Sequence, residues 1–432
     1  MHYSESVASI EVRRPPDRRP ADRGHPFATY LVGFGFSLLG GQIWFVALGW
    51  AASRFDDPLR ASAVLAVATL PRTILVLFGG AVADRYGVLR VVVMSQTLRT
   101  VVMAGLAAGV LAAGENGWLL LVAALLVGVL DAAHLPAASA LPPRLVAPGD
   151  LPARLGTVQT LERAMGVVGA PCGGFIVALG GLSLAAAVNA VLFAVAVLVL
   201  RSLRARMAVA AASAPGADGP PDGVFRLLRR GLRYAAAEPV VGPTLVVVAV
   251  LNLTLAGPLN VGLAMLAAHR GWGPPGLGWL VAGFAAGAAG GALALSVCRP
   301  AAVGAAGVLS VGAGSLCTAL LPRFSSLPAA VVVAVLLGVC SGSASALLIG
   351  LVQARTRPEY QGRMMALAAF SALGLAPVAY LLFGALAVAV GLAGAFVVCG
   401  AAEAVTVAVA LTLRSVRGAR LDGGGAPGCG GR

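Results

Sequence analysis

The sequence contains no lysine; all 31 of its basic residues are arginine. A phosphate-binding loop needs a lysine that reaches the phosphates, and a Schiff-base site needs a lysine amine, so both are excluded. Direct drive by nucleotide hydrolysis within this chain falls with them. Charge of either sign is scarce, at 11% of residues, against about 25% in soluble globular proteins. The six cysteines, Cys172, Cys298, Cys317, Cys340, Cys399 and Cys429, form no C-x-x-C pair, and five lie in apolar runs. They read as small apolar fillers rather than as metal or disulfide ligands. The four histidines, His2, His25, His134 and His269, show no metal-ligand spacing. Neither a metal nor a cofactor is expected. H-E-x-x-H, Gly-x-Ser-x-Gly and paired aspartates at matching depth are all missing, which argues against an intramembrane enzyme.

What is abundant is apolar surface: 59% of the 432 residues are hydrophobic and the mean hydropathy is +0.91. A membrane span needs about 20 mostly apolar residues. Twelve runs qualify: 28–52, 61–83, 91–113, 118–140, 155–178, 181–200, 239–260, 275–297, 302–321, 327–352, 364–389 and 391–413. Residues 255–274 are the least regular, because Gly257-Pro258 interrupts the run. The expected fold class is an all-α polytopic membrane protein with twelve transmembrane helices in two six-helix halves. Residues 1–27 are polar and arginine-rich with no cleavage site after the first apolar run, so they read as a disordered cytoplasmic tail rather than a secretion signal.

Arginine placement orients the spans. With the N-terminus cytoplasmic, 24 arginines fall in cytoplasmic segments, 4 on the opposite side and 3 within spans. Trp50, Trp118, Trp272 and Trp279 fall at outer span ends, as an aromatic belt requires, and only Trp44 lies deeper. The charge of +14 and pI near 10.8 follow from this topology, so no nucleic-acid partner is expected. Residues 28–200 form the first six-span half and 239–413 the second, with a cytoplasmic tail at 414–432. Between the halves, 201–238 contains an Ala/Pro/Gly-rich linker, then Phe225, Leu228 and Leu232 at helical spacing among Arg226, Arg229, Arg230 and Arg233. That pattern predicts a basic amphipathic helix on the inner leaflet.

Between the second and third runs stands Gly80-Ala-Val-Ala-Asp84-Arg85-Tyr-Gly87-Val-Leu-Arg90. Its Gly-x-x-x-Asp-Arg-x-Gly spacing resembles the loop between the second and third helices of major facilitator superfamily transporters. Other stretches resemble the branch that includes macrolide efflux pumps and enterobactin-type siderophore exporters. They are Leu135-Pro136-Ala137 with Leu141-Pro-Pro-Arg144-Leu-Val and Asp150-Leu-Pro-Ala, then Gly231-Leu-Arg233-Tyr234, and Pro358-Glu359-Tyr-Gln-Gly362-Arg363-Met364. The resemblance covers about residues 28–413. Val88 and Leu89 replace the usual basic pair, no Arg-x-x-Gln-Gly occurs in the fourth span, and the antiporter signature survives only as Gly169-Ala-Pro171-Cys-Gly173-Gly174.

The resemblance implies a secondary active transporter working by alternating access in a bacterial cytoplasmic membrane, with both termini inside. It implies a monomer whose partners are the lipid bilayer, a small-molecule substrate and protons. Export of a bulky apolar or amphipathic molecule (drug, natural product or siderophore) is the leading expectation. A uniporter or importer on the same fold stands beside it, and a non-transporting membrane receptor behind both. Gly80, Asp84, Arg85, Gly87 and Arg90 would form a gate latch, with Asp84 facing the N-terminus of the eleventh span.

Charged residues inside spans are costly and mark function or ion pairing. Arg72 lies near mid-span, where it either lines the substrate path or pairs with an acid. Arg99 is expected to serve the loop network. Asp131 and His134 share a helix face at i, i+3. They form either a proton-carrying pair, or Asp131 binds Arg90 or Arg99 as part of the latch. Glu162 is the leading proton carrier, on a stripe with Gly166, Gly169 and Gly173. A matching stripe of Gly283, Gly287 and Gly290 on the eighth span is expected to let the two helices approach closely. Glu162 would then sit at the moving seam, with pairing to Arg72 as the bland alternative. Glu403 is expected to tuck inward.

Overall fold

The computed structural model describes residues 25–55, 57–203, 232–297, 300 and 302–419; the side chains of residues 25, 76–84, 148 and 296 also lie outside the description. Residues 1–24, residues 420–432 and most of the expected linker helix, residues 204–231, therefore lie outside the described residues, while the first part of the expected C-terminal tail packs against Gly304, with Val416 and Ala419 buried.

Twelve helical spans run back and forth. They are α1 (His25–Ser53), α2 (Pro58–Tyr86), α3 (Val88–Ala113) and α4 (Gly117–Ser139), followed by α5 and α6 within Leu151–Arg201. α5 and α6 are parted at Gly180 and Gly181, and the φ of +62° at Gly181 is a turn conformation that glycine adopts without steric cost. The second half comprises α7 (Val241–Gly257, continuing to His269), α8 (Gly273–Val297), α9 (Val303–Leu320) and α10 (Leu327–Arg355). It ends with α11, which begins as Pro358–Leu373, and α12; both share Ala376–Thr412 and part at Gly391, φ +77°.

Helix starts follow local chemistry. The Asp57 carboxylate accepts a hydrogen bond from the Leu59 amide at 2.8 Å ahead of Pro58, and the Asn116 side chain accepts one from Trp118 at 2.9 Å. α7 differs from the sequence expectation. The run does not stop at Gly257-Pro258; the chain passes through a π turn at Pro258–Gly262 and continues to His269. Proline has no amide to donate, and one wide turn absorbs the missing bond while the helix direction is kept.

Large apolar side chains face outward, including Leu111, Leu179, Leu198 and Val297, as a lipid-facing surface requires. The buried core is unevenly distributed. One continuous cluster joins residues of both halves: Ile43–Ala52 and Ala170–Val177 from the first, Val261–Ala267, Leu277–Leu280 and Ala376–Ala387 from the second. All lie toward the membrane face away from His25 and Ala419, here the far face. At the terminal face the core splits. One cluster belongs wholly to the first half, with Phe27, Tyr30, Val88 and Leu200, and another wholly to the second, with Val248, Val308, Leu348 and Ala410.

Close approaches between the halves follow the same division. A Cβ added at Gly278 of α8 would lie 2.7 Å from the Ala170 carbonyl oxygen and 3.0 Å from Pro171 Cα of α5, and Gly174 abuts the Pro274–Pro275 backbone. Gly384 of α11 packs on Pro58 and Ser62 at the start of α2, and Thr73 donates to the Leu373 carbonyl at 2.9 Å near mid-depth. The halves are thus shut at the far face and apart at the terminal face.

The expected glycine stripes are only partly where the α5–α8 contact lies. Gly166 looks toward Ala285 of α8, but Gly169 packs on Gln42 and Leu39, and Gly173 on Ile43 and Val46, all of α1. Gly283 and Gly287 face Val331 and Val335 of α10, and Gly290 has nothing within 4 Å. The seam is instead carried by Gly174 and Gly278. The 4, 3, 4 spacing of the α5 stripe keeps it on one face, and that face is turned toward α1, which leaves the neighbouring Gly174 to meet α8. Gly278→Val is accordingly expected to force backbone apart at the far face and destabilise the protein by about 1–3 kcal/mol, read as a lower Tm in detergent. Gly290→Ala is expected to leave Tm unchanged.

Candidate functional site

A cavity of about 460 Å³ lies inside the first half, walled by α1, α2, α4 and α6 and containing nearly all of its buried charge. Trp44, Phe45 and Leu48 form an apolar wall, and Gln42, Arg72, Arg99, Asp131, His134 and Glu162 are polar contributors alongside the hydroxyls of Ser37 and Thr69. A second cleft of about 620 Å³ opens between α5, α8 and α10, lined largely by alanine, glycine and serine. Glu162 borders both.

The α3–α4 contact holds the densest polar cluster. Ser95, Gln96 and Arg99 on α3 face Asp131 and His134 on α4. An Arg99 Nη2 hydrogen donates to Asp131 Oδ1 in a close ion pair, and Nη1 donates to Gln96 Oε1 at 3.1 Å. Ser95 Oγ and His134 Nδ1 share a hydrogen bond of 2.9 Å, while Ser95 Oγ also donates to the Val92 carbonyl. The Arg99 guanidinium lies 5.6 Å from the Phe193 ring centroid, a cation–π contact from α6. Asp131 therefore pairs with Arg99 and not with Arg90, and the two i, i+3 residues each bond to α3 rather than to each other. Three donors of this region, Gln96 Nε2, Arg99 Nε and Asn189 Nδ2, keep no protein partner.

Arg72 and Glu162 do not pair. Arg72 is the middle residue of the 29-residue α2, its Nε is buried without a hydrogen bond, and no ion pair joins it to any described carboxylate. It lies within electrostatic reach of Tyr380 on α11. Glu162 is exposed at the junction of the two cavities and has no ion-pair partner among the described residues. Glu403 is away from both cavities, 1% exposed, with Oε1 accepting from the Thr254 hydroxyl at 3.0 Å and Oε2 unpartnered.

Of the expected latch, the side chains of Gly80 and Asp84 lie outside the described residues. Gly87 forms the turn between α2 and α3, and Arg85 and Arg90 are exposed, with Arg85 5.7 Å from the Tyr86 ring centroid. Neither arginine makes an ion pair with the second half among the described residues. Two other motifs do meet: Tyr234 stacks on Tyr360 with centroids 4.2 Å apart and accepts a hydrogen bond from the Arg357 amide at 3.1 Å. Residues overlooked in the sequence are Gln42, Ser95, Gln96, Asn189 and Tyr380. Their signal was available, since an unpartnered amide in the middle of an apolar span, though cheaper than a charge, still costs about 2–7 kcal/mol.

Neutralising Asp131 alone strands a guanidinium with 7% side-chain exposure. Asp131→Asn is expected to destabilise by about 3 kcal/mol, and the double variant Arg99→Gln/Asp131→Asn to recover most of that loss, both measured by thermal unfolding.

Comparison with known proteins fits this geometry. Residues 27–295 match the Major Facilitator Superfamily. Among curated proteins, none matches the sequence. A variant of the nucleoside transporter NupG superposes with a TM-score of 0.71 at 13% identity, covering 90% of this chain and 99% of that one. A bacterial homologue of the human drug peptide transporters gives 0.68 at 14%, covering 91% and 98%. A bacterial homologue of the lysosomal transporter Spinster, in an inward-facing and occupied conformation, gives 0.61 at 13%, covering 90% and 94%. At these identities the likeness concerns the fold. The sequence match extends over more than half of the chain, and with its helical spans in two halves the chain belongs to the Major Facilitator Superfamily, as a multi-pass secondary transporter and not an enzyme.

Proposed function

We propose that this transporter is a proton-coupled exporter of a bulky apolar or amphipathic small molecule, acting by alternating access as a monomer in a bacterial cytoplasmic membrane. The arginine bias makes the terminal face cytoplasmic, with both termini inside. The cavity that opens there then receives cargo from the cytoplasm, and rocking of the halves about the far-face core releases it outside. The apolar wall of Trp44, Phe45 and Leu48 suits a cargo with a large apolar body. The motif likeness to macrolide and siderophore exporters favours the same class.

The observation that carries the proton reading is the position of Glu162. It is a carboxyl with no ion-pair partner among the described residues, at the junction of two cavities beside the α5–α8 seam. Rocking changes its access to water, and a carboxyl's proton affinity follows its solvation. The loop from Gly80 to Arg90 acts as a latch at the terminal face, engaged when that face closes; that Arg85 and Arg90 make no cross-half ion pair among the described residues suits a state in which it is open. The reduced antiporter signature in α5 keeps a second reading, uniport or import on the same fold.

In vesicles containing the full chain, an imposed pH gradient is expected to drive amphipathic dye movement. Glu162→Gln is expected to reduce the gradient-driven component to background. Movement that ignores the gradient, or a Glu162→Gln variant as active as the parent, would sink the coupling; counterflow in both directions without a gradient would favour uniport.

A further inference from the structure

In the 460 Å³ cavity two charged groups, Arg72 and Glu162, have no ion-pair partner among the described residues. Arg99 is matched by Asp131, and His134 is bonded to Ser95. Glu162 stands exposed at the opening, where water can solvate it. Arg72 differs. It is half-buried and fixed halfway along α2, and no described residue accepts a hydrogen bond from its Nε, which is shut off from solvent. A guanidinium stays protonated in any protein environment, and an uncompensated one at membrane mid-depth calls for an anion or a wet cavity.

The surroundings select the kind of anion. A guanidinium presents a planar fork of donors that matches carboxylate, sulfonate or phosphate oxygens. Trp44 and Phe45 offer aromatic surface on the same cavity. The second half approaches at the next residue, where Thr73 donates to the Leu373 carbonyl, so a ligand on Arg72 lies at the seam the halves move about. We infer that Arg72 binds the anionic group of an amphipathic cargo whose apolar body lies against Trp44 and Phe45. This rests on the reading of the cavity as the transport site and narrows its cargo to acids. An inside-negative membrane potential itself expels such a charge from the cell, in keeping with export.

The test is equilibrium binding to the full chain in lipid nanodiscs, with three probes sharing one ring system: 2-naphthoate, 2-naphthamide and 2-naphthylmethylammonium. Naphthoate is expected to bind about tenfold or more tighter than the amide, as a charge-assisted hydrogen bond implies, and the ammonium weakest. Arg72→Gln is expected to bring naphthoate and amide within about twofold of each other, while Arg72→Lys keeps part of the preference. The inference is overturned if the amide or ammonium binds as tightly as naphthoate, if naphthoate fails to bind, or if the preference survives in Arg72→Gln. Should Arg72→Gln not fold, the three-probe ranking on the parent and on Arg72→Lys decides alone. No gradient is applied, so loss of proton drive would leave this result untouched, and loss of the anion preference would leave proton-driven export standing.

Discussion

The apolar core that bridges the two halves at the far face is the constraint on which the rest of the structure depends. It runs unbroken through both halves there and divides in two toward the terminal face. Side chains in such a core interdigitate at close-packed density, so the contact is either made or broken rather than stretched. It closes one face, while toward the other the buried clusters belong to one half or the other, and the cavity with its charged lining lies between those levels. Gly174 and Gly278 let backbone meet backbone at this seam, which is how helices associate where lipid gives no hydrophobic drive.

Within the first half the polar groups divide into a structural set and a set with spare capacity. Arg99, Asp131, Gln96, Ser95 and His134 bind α3 to α4, and an ion pair between neighbouring spans limits the cost of holding both charges in the membrane. Arg72 and Glu162 are left over, of opposite sign and without an ion-pair partner among the described residues. One is half-buried halfway along a helix and the other is exposed, so their environments differ in how far water can solvate the charge.

Much of the architecture was legible along the chain because its signals are local. Long apolar runs mark spans wherever they occur, and Asp57-Pro58 and Asn116 mark helix starts by their own chemistry. Where the reading departed from the structure, the deciding partner lay elsewhere. The helix continues past Pro258 because Gly257 and Gly262 pack against Phe383 and Phe396 of α11 and α12, which hold the irregular turn in place. Gly169 and Gly173 lie in the stripe beside Glu162, yet they face α1, because helix rotation is set by all neighbours at once.

The sequence by itself determined that the chain crosses a membrane many times, which face gathers arginine, that lysine chemistry is impossible, and which few charges must be accommodated in apolar surroundings. These follow from composition and from periods of a few residues. Only the tertiary structure decided how those charges are accommodated. Asp131 meets Arg99 across 32 residues, and Thr73 reaches Leu373 across 300; no periodicity encodes such pairings. It also decided that no described carboxylate pairs with Arg72 and that Glu162 borders two cavities, because an unmet charge is a property of the space around a residue and not of the residues next to it in the chain.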